Sequence, residues 1–474
     1  MHIKNLLNVD LNLEISYISS NSKDIKENTL FFLLKNTEHD LEYALEALNS
    51  GAVAIVTEEL IDGVRNQILV KDIHQVLQNS LNRFYDFPQN KIKLVGITGT
   101  DGKTTCATIS QYLLSSKYKV ANIGTNGINY FGYYYKTNNT TPISYLLFRE
   151  LDKMVKSNVE IAVMEASSEG ILNRRIDDVI FDVGIFTNLS HEHLNSHLTM
   201  ENYFMEKVKL FKNISSDGLM IVNIDDEYGK KLLTLVSLPF LTYGINEEAD
   251  FRALNVRIEE DYTTFDLKLR RKIYRDISIN LFGLYNVYNV LPAIILALYF
   301  NVSFELIRTK LNNLPIVKGR LNFVTKFPYM VIVDFAHTPN ALYQLLTNVR
   351  LITKKKLVIV LGAAGNKDAT KRPLMGKVAT KHSDFVIFTS EDPKDEPLEN
   401  IIHDLTSEIE TTNYCIIFDR KDAIKYAIDN LEVGDTLLIT GKGMEEFEQK
   451  KEGLVPHSDY LEAQKCLKSR EPLE

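Results

Sequence analysis

Short apolar runs recur along the chain, and each ends in a glycine or a polar residue. They cover residues 94–96, 161–165, 183–188, 330–334, 357–362, 385–389 and 436–441. Short runs of this kind, separated by amphipathic stretches of helical length, are typical of parallel strands buried on both faces in α/β units. Residues 251–281 instead alternate apolar and polar positions, which predicts antiparallel strands at a sheet edge. Because open α/β sheets bind ligands beyond the carboxyl ends of their strands, the polar residues at these ends are the candidates for chemistry.

A chain of 474 residues is too long for one hydrophobic core. We predict an α/β fold of three domains. Residues 1–90 form a small N-terminal α/β domain, and residues 91–318 form a central domain with a mostly parallel sheet. Residues 319–474 carry the second series of strands and form a Rossmann-like C-terminal α/β domain.

The composition of the chain limits the classes of protein to which it can belong. Hydrophobic residues make up 45% of the chain and charged residues 24%, as in ordinary globular proteins, and no apolar stretch reaches the length of a membrane span. The net charge of −8 argues against general affinity for nucleic acid. The polar N-terminus and the three scattered cysteines (Cys106, Cys415 and Cys466) predict a cytoplasmic protein that binds neither nucleic acid nor membrane.

The glycine-rich segment 96–105 follows the first apolar run and precedes a helical stretch. Such a strand–turn–helix unit presents backbone N–H groups and the positive end of a helix to phosphate oxygens. Lys103 is placed to reach the terminal phosphates, and the Thr104 hydroxyl is placed to ligate Mg²⁺. Ile97 stands where the strict pattern has its first glycine, so a plain turn with a solvated lysine is the alternative. By itself the loop is compatible with a switch, a motor, a kinase or a ligase.

Two features downstream of the loop suggest a metal site. Glu165 ends an apolar run, where its carboxylate could hold a second magnesium ion. His191, His193 and His197 fall within seven residues, and taken alone they fit either a transition-metal site or a surface loop. With no cysteine nearby and a phosphate loop upstream, a magnesium site of hard oxygen ligands and one imidazole is more consistent.

The order and spacing of these motifs resemble the Mur ligases. The phosphate loop, Glu165 and the run 187–197 are followed by further segments with the family's pattern, namely residues 203–211, 283–289, 319–320 and 334–339. Segments 21–23, 140–142, 362–368 and 371–376 resemble the branch of the family that adds the third residue of the peptidoglycan peptide. The resemblance covers nearly the whole chain.

The resemblance implies an ATP-dependent acid–amino-acid ligase of peptidoglycan precursor synthesis. In such enzymes the γ-phosphate of ATP activates the free carboxylate of UDP-N-acetylmuramoyl-L-alanyl-D-glutamate as an acyl phosphate, which the amine of an amino acid then attacks. The resemblance further implies two Mg²⁺ ions and a monomer. It assigns the UDP-linked substrate to residues 1–90, ATP to residues 91–318 and the amino acid to residues 319–474.

The family's functional residues carry over to the matching positions of this chain. The implied catalytic residues are Lys103, Glu165, His193 and Lys207. The implied metal ligands are Thr104, Glu165, His193 and Lys207, with Lys207 carbamylated to N6-carboxylysine. ATP would contact Gly99, Thr100, Asp101, Gly102, Lys103, Thr104, Thr105, Asn286, Asn289, Arg320 and Asp334. The UDP-linked substrate would contact Ser22, Thr140, Thr141, Ser167 and Arg175, and the amino acid would contact Lys367, Glu391, Asp392, Lys394, Gly441 and Glu445. For Asn286 and Asn289, helix capping is the alternative.

The sequence departs from the family pattern where the amino acid is expected. Members that take meso-diaminopimelate carry Asp-Asn-Pro-Arg, whose arginine pairs with the distal carboxylate, whereas this chain has Glu391-Asp392-Pro393-Lys394. Lysine lacks the bidentate fork of arginine, and two acids favour a distal ammonium. We therefore expect L-lysine, with meso-diaminopimelate or ornithine as alternatives. A folylpolyglutamate synthase-like ligase and an ATP-hydrolysing switch are more distant alternatives.

Four further departures from the family pattern have effects that the sequence does not predict. They are Asn21-Ser22-Lys23, Glu169, Glu192 and Asn195.

Overall fold

The computed structural model describes residues 1–470 except 8, 10, 35, 36, 260, 316 and 318. Within these residues, three large sheets and one hairpin are flanked by helices, and each large sheet contains parallel strands. The predicted α/β class is confirmed. The predicted boundaries after residues 90 and 318 stay predictions, and Lys318 and residues 471–474 lie outside the described residues.

The N-terminal unit is built on a four-stranded parallel sheet of order β1-β2-β3-β4. Its strands are β1 (Tyr17–Ser19), β2 (Thr29–Phe32), β3 (Ala52–Thr57) and β4 (Gln67–Leu69), and its helices are α1 (Asp40–Asn49) and α2 (Ile73–Phe84).

The central unit is built on an eleven-stranded sheet of order β15-β14-β13-β12-β11-β10-β5-β9-β6-β7-β8. Its strands are β5 (Lys93–Thr98), β6 (Val120–Gly124), β7 (Gly127–Tyr130), β8 (Tyr133–Tyr135), β9 (Ile161–Glu165), β10 (Phe181–Phe186), β11 (Ile214–Asn223), β12 (Phe240–Gly244), β13 (Phe251–Ile258), β14 (Thr263–Leu269) and β15 (Lys272–Ile279). The helices are α3 (Lys103–Leu114), α4 (Ser144–Lys156), α5 (Ser168–Leu172), α6 (Leu194–His197), α7 (Met200–Lys212), α8 (Glu227–Leu235), α9 (Leu284–Tyr299) and α10 (Phe304–Leu311).

The middle strands of this sheet are parallel and apolar throughout because helices cover both faces. Alternate residues of β5 point to opposite sides, so Val95 and Ile97 join the core formed with α3 and α9, whereas Leu94 joins the core formed with α4 and α7. At one edge, β13, β14 and β15 pair antiparallel over residues 251–279, which confirms the prediction for this alternating segment.

The C-terminal unit is built on a six-stranded sheet of order β16-β17-β21-β18-β19-β20, in which only β16 is antiparallel to its neighbour. Its strands are β16 (Asn322–Thr325), β17 (Met330–Asp334), β18 (Leu357–Leu361), β19 (Phe385–Phe388), β20 (Tyr414–Ile416) and β21 (Thr436–Thr440), and a hairpin of β22 (Phe447–Lys450) and β23 (Gly453–Pro456) follows. The helices are α11 (Pro339–Arg350), α12 (Arg372–His382), α13 (Leu398–Thr406), α14 (Arg420–Asp429) and α15 (Asp459–Ser469). Across the described part of the chain, no helix is long and apolar enough to cross a membrane.

Candidate active site

The carboxyl ends of the central strands meet at one edge of the large sheet. Ile97 of β5 lies opposite Glu165 of β9, and Thr98 lies opposite Phe186 of β10. The loops that follow these strands therefore open into a single cavity of about 1290 Å³, which the C-terminal unit closes from the other side. The predicted site residues that line it are Thr100, Asp101, Gly102, Lys103, Thr104, Thr105, Thr140, Glu165, Ser167, Arg175, His193, Asn286, Asn289, Arg320, Asp334, Lys367, Glu391, Asp392, Gly441 and Glu445.

Five predicted site residues do not line this cavity. Gly99, Thr141 and Lys207 lie behind its wall, where they contact residues that do line it or their immediate neighbours. Lys394 lies beside the cavity. Ser22 belongs to the N-terminal unit, in the turn after β1, and the structure does not bring it to the other predicted residues.

The phosphate loop is held by hydrogen bonds to the two residues that follow strand β10. Asn188 Oδ1 accepts a hydrogen bond from Asp101 N at 2.9 Å, and Thr187 Oγ1 donates to Asp101 O at 2.8 Å. Gly102 is the N-cap of α3 with φ +84°, and a Cβ there would overlap the side-chain oxygen of Asn289. Among the described residues, no side chain caps the first turn of α3, which lines the cavity, so its N–H groups can meet an anion there.

Lys103 lies at the centre of the loop. Its Nζ donates to the Gly99 and Thr100 carbonyl oxygens at 3.0 and 2.9 Å. Desolvation lowers the pKa of Lys103, and the charges of Glu165 and Asp101 partly oppose this shift. The positive charge of the Lys103 ammonium is therefore only partly balanced by the neighbouring carboxylates, which favours binding of a polyanion beside it.

Glu165 ends β9 with only 1% of its surface exposed. Its carboxylate accepts hydrogen bonds from Thr104 Oγ1 at 2.8 Å, from Thr125 N at 2.9 Å and from Thr125 Oγ1 at 3.2 Å. A Cβ at Gly124 would overlap this carboxylate, so a glycine at the end of β6 leaves the space that Glu165 occupies. Thr125 was not among the predicted site residues, although its position directly after strand β6 could have indicated a role at the site.

His193 and Lys207 lie on the other side of the phosphate loop. Burial, with the neighbouring charges of Lys207 and Lys103, lowers the pKa of His193 to about 2, so the imidazole is neutral and can act as a ligand. Lys207 is 1% exposed, and its Nζ donates to Gly99 O at 2.8 Å. Burial and the charge of Lys103 hold the pKa of Lys207 well below its usual range, so the side chain is favoured as an uncharged amine.

The predicted magnesium ligands fit a hard metal ion only in part. The Thr104 hydroxyl and the Glu165 carboxylate are adjacent hard oxygens, and His193 supplies a neutral nitrogen. Among the residues that the structure describes, no group of three or more His, Cys, Asp or Glu side chains is arranged to hold a metal. The remaining ligands would thus have to come from a carbamylated Lys207 and from the phosphates of a nucleotide.

Asn286 and Asn289 lie in the first turns of α9, whose N-cap is Gly283. Asn289 Nδ2 donates to Asn286 Oδ1 at 3.2 Å, and Asn286 Nδ2 donates to Phe282 O at 2.8 Å. The capping alternative is therefore wrong, because neither residue occupies the cap. Both are buried and line the cavity.

The C-terminal unit contributes Arg320 and Asp334 to the same part of the cavity. The Asp334 carboxylate accepts from Leu321 N at 2.7 Å and from Ala336 N at 2.8 Å, and burial raises its pKa. The Arg320 guanidinium lies over the Phe335 ring at 4.7 Å, with its charge directed toward the cavity that it lines.

A row of hydroxyl groups continues the cavity from Glu165. Thr140 Oγ1 and Thr125 Oγ1 are 3.0 Å apart, and Thr141 Oγ1 donates to Glu165 O at 2.9 Å. Thr141 and Ser167 also share a hydrogen bond of 3.0 Å, and Arg175 Nη1 donates to Thr141 O at 2.8 Å. Four of the five residues predicted for the UDP-linked substrate thus form one connected group.

The charges at the amino-acid end differ from the sequence expectation. Lys442 Nζ donates to Asp392 Oδ1 at 2.7 Å and to Glu445 Oε2 at 2.9 Å, so both carboxylates are already paired. Burial raises the pKa of Glu391 to about 7, which reduces its charge. The acids that suggested a distal ammonium are therefore largely neutralised.

Residues 97–297 match the Mur ligase middle domain, and residues 319–443 match the Mur ligase, glutamate ligase domain. The chain belongs to the Mur ligase family. A UDP-N-acetylmuramoyl-L-alanyl-D-glutamate–2,6-diaminopimelate ligase 1 of Clostridium acetobutylicum is 38% identical over 447 residues, which cover 93% of this chain and 92% of that protein. The solved structure of a UDP-N-acetylmuramoyl-L-alanyl-D-glutamate–2,6-diaminopimelate ligase matches with a TM-score of 0.67 and 25% identity over 99% of both chains. The MurF ligase of Thermotoga maritima in complex with ADP shares the fold, with a TM-score of 0.67 and 19% identity over 90% of this chain and 93% of that one.

These comparisons confirm that this Mur ligase is an ATP-dependent ligase with the three-domain α/β architecture of its family. The expected preference for L-lysine finds no support, since the relative from C. acetobutylicum and the first solved structure are named for 2,6-diaminopimelate. The magnesium ions and the roles of individual site residues stay predictions.

Proposed function

We propose that this Mur ligase joins meso-diaminopimelate to UDP-N-acetylmuramoyl-L-alanyl-D-glutamate with conversion of ATP to ADP and phosphate. The observation that carries the proposal is the single cavity, which joins the phosphate loop and Glu165 to the residues at the amino-acid end. A nucleotide, a carboxylate and an amine could thereby meet in one cavity, which is the requirement for ligation through an acyl phosphate.

The chemical difficulty is to bring a substrate carboxylate against the terminal phosphate of ATP. Both groups are anionic, so the protein has to supply positive charge where they meet. Lys103 of the central unit and Arg320 of the C-terminal unit both line the cavity and would supply that charge, and the N–H groups of the first turn of α3 would bind phosphate oxygens. Mg²⁺ bound by Thr104, Glu165, His193 and a carbamylated Lys207 would add Lewis-acid stabilisation of the transferred phosphoryl group.

The transfer itself breaks the bond between the β,γ-bridging oxygen and the γ-phosphorus of ATP and forms a bond from the substrate carboxylate to that phosphorus. The neutral amine of the amino acid then attacks the acyl carbon, the bond from that carbon to the phosphate oxygen breaks, and the surplus proton on the nitrogen passes to the departing phosphate or to solvent. Arg175, Thr140 and Ser167, which line the cavity, would hold the substrate carboxyl end during both steps, and Thr141 would support them from behind the wall.

Carbamylation of Lys207 is part of the proposal. An amine attacks carbon dioxide only in its uncharged form, and burial favours that form at Lys207. The product carries a carboxylate in place of the ammonium, so the modified side chain can ligate a cation beside the phosphate loop.

Lys394 supplies a point charge that suits a distal carboxylate on the amino acid. Burial lowers the pKa of Lys394, and so does the charge of Lys367, whereas three neighbouring carboxylates oppose the shift. One of them, Asp392, already accepts at its Oδ1 from Lys442 and from Gln449 N. The distal carboxylate of meso-diaminopimelate would pair with the Lys394 ammonium, whereas the distal ammonium of lysine would be repelled by it.

The test is product formation by the purified protein with ATP, Mg²⁺ and the UDP-linked dipeptide. Meso-diaminopimelate, L-lysine and L-ornithine are supplied separately, and tripeptide and ADP are measured by mass spectrometry and a coupled assay. We expect ADP and tripeptide in equal amounts, fastest with meso-diaminopimelate. ADP release without any tripeptide would support the ATP-hydrolysing switch, and faster reaction with lysine would overturn the amino-acid assignment alone.

Substitution of Lys394 tests the amino-acid assignment directly. In Lys394→Gln we expect kcat/KM for meso-diaminopimelate to fall about 10- to 100-fold, the range for losing one charge-assisted hydrogen bond. The value for lysine should change less than about threefold, since lysine has no distal carboxylate to lose. Lys451→Gln, an exposed lysine of the β22–β23 hairpin, is the matched control. Equal losses for both amino acids would contradict the role given to Lys394.

A further inference from the structure

The loop that carries His193 has a strained backbone. His193 has φ +58° and ψ +22°, the left-handed conformation, and it is the N-cap of the short helix α6. Leu198 at the other end of α6 has φ +67°. Non-glycine residues keep this conformation only where their surroundings hold them in it. Contacts on both sides of His193 must therefore fix the loop.

Those contacts come from the C-terminal unit. Asp368 Oδ2 accepts from Leu194 N at 2.9 Å, directly after His193. Lys371 Nζ donates to both carboxylate oxygens of Glu192, directly before His193, at 3.0 Å each. Asp368 and Lys371 are the N-cap and the last residue of one short 3₁₀ helix. A single turn therefore contacts both neighbours of His193.

The pair of Lys371 and Glu192 is enclosed. Lys371 is 5% exposed and Glu192 is 6% exposed, and Lys371 Nζ also donates to His337 O at 2.8 Å. A buried charge that loses its partner is strongly unfavourable, so either residue alone would be costly to enclose. The contact thus favours the arrangement in which the C-terminal unit is docked on the His193 loop.

The same docked arrangement reaches the phosphate loop. Asp101 accepts from Asn340 Nδ2 at 3.2 Å and from Thr338 Oγ1 at 3.5 Å, both at the start of α11. Asp101 lies two residues before Lys103 in the phosphate loop. Docking of the C-terminal unit therefore fixes the His193 loop and the phosphate loop at the same time.

We propose that Asp368 and Lys371 are positioning residues for the ligation, because they hold His193 in its strained conformation and thereby complete the site only when the C-terminal unit is docked. The inference rests on the proposed role of His193 in metal binding. Asp368 and Lys371 act through Leu194 and Glu192, and their role is separate from that of the residues proposed to bind the amino acid.

Hydrogen exchange followed by mass spectrometry tests the proposal without reference to activity. Lys371→Met removes the charge and keeps most of the side-chain length. We expect amides of residues 190–199 to exchange at least about tenfold faster in this variant, while those of 103–114 are unchanged. Lys156→Met, which breaks the exposed pair with Asp152 on α4, is the matched control and should leave both segments unchanged.

Kinetics provide the second readout. Misplacement of a reacting group by about 1 Å can cost about 100-fold in rate, so kcat should fall by that order in Lys371→Met, while the affinity for ADP stays within about threefold of wild type. Asp368→Asn, which weakens the contact to Leu194 N, should have the same pattern and serves if Lys371→Met fails to fold.

Unchanged exchange of residues 190–199 in both variants would overturn the proposal. Faster exchange throughout residues 319–470 without a specific effect on 190–199 would also overturn it, since this is the result of a general loss of folding. A wild-type protein that forms no tripeptide would defeat the proposed function, and the exchange data would still decide whether the C-terminal unit holds the loop.

Discussion

Gly102 offers a direct test of how the phosphate loop and α9 depend on each other. Its φ of +84° is in the left-handed region, and a Cβ there would overlap the side-chain oxygen of Asn289. Gly132 has nearly the same φ, +82°, but a Cβ at that position would meet nothing within 4 Å. Gly102→Ala and Gly132→Ala therefore share the backbone strain and differ in the contact.

The expected magnitudes follow from this pairing. A left-handed alanine costs about 1–2 kcal/mol of folding free energy, and this is all that Gly132→Ala should lose. Gly102→Ala should lose about 1–3 kcal/mol more, the usual cost of forcing an extra carbon into a packed site. Because relief of the overlap displaces Asn289 from the cavity wall, we also expect ADP binding to weaken about 10- to 100-fold in Gly102→Ala.

Urea denaturation and calorimetric titration with ADP measure the two effects. The double variant Gly102→Ala/Asn289→Ala should bind ADP no more weakly than Asn289→Ala alone, since the overlap is then gone. Wild-type ADP affinity in Gly102→Ala, or an equal loss of affinity in Gly132→Ala, would refute the reasoning.

Two further predictions concern buried ionisable groups. Removal of carbon dioxide and bicarbonate should lower activity, and ¹³C-bicarbonate should restore it. The ¹³C NMR spectrum should then contain a carbamate signal that is absent from Lys207→Met. Full activity without carbon dioxide would exclude carbamylation. Burial raises the pKa of Glu391 from 4.5 to about 7, so the folded state binds the proton more tightly than the unfolded state. Stability should therefore fall by up to about 3 kcal/mol as pH rises from 4.5 to 7, and Glu391→Gln should lose this dependence. Parallel urea midpoints for the two proteins between pH 4.5 and pH 8 would contradict this.

Local pattern was enough to predict the strands and one edge of the site. Buried parallel strands have to be apolar over a few consecutive residues, so β5, β9 and β10 are visible in the sequence. Their polar end residues were expected to converge because neighbouring parallel strands end on the same side of a sheet. Glu165 and the phosphate loop are close in space for this reason.

Pairings between distant parts of the chain could not be predicted in this way. Segment 391–394 shows two acids, but Lys442, which neutralises Asp392, comes 50 residues later and has no periodic relation to it. The expectation that lysine is the substrate treated both acids as free negative charges, although the fold had already neutralised them. The contact of Lys371 with Glu192 spans 179 residues and was missed for the same reason.

The charges beside the phosphate loop also bear on the state of Lys207. Burial lowers the pKa of both His193 and Lys207, the charge of Lys103 adds to both shifts, and the charge of Lys207 adds to the shift of His193. A protonated Lys207, at 1% exposure, would gain almost nothing from water, and Lys103 would repel it. A carbamate at its Nζ would reverse the sign of the charge, so that Lys103 would attract the side chain. The proposed modification would therefore remove a repulsion that a protonated lysine creates, which is why the CO₂ dependence is the sharpest test of the proposed metal site.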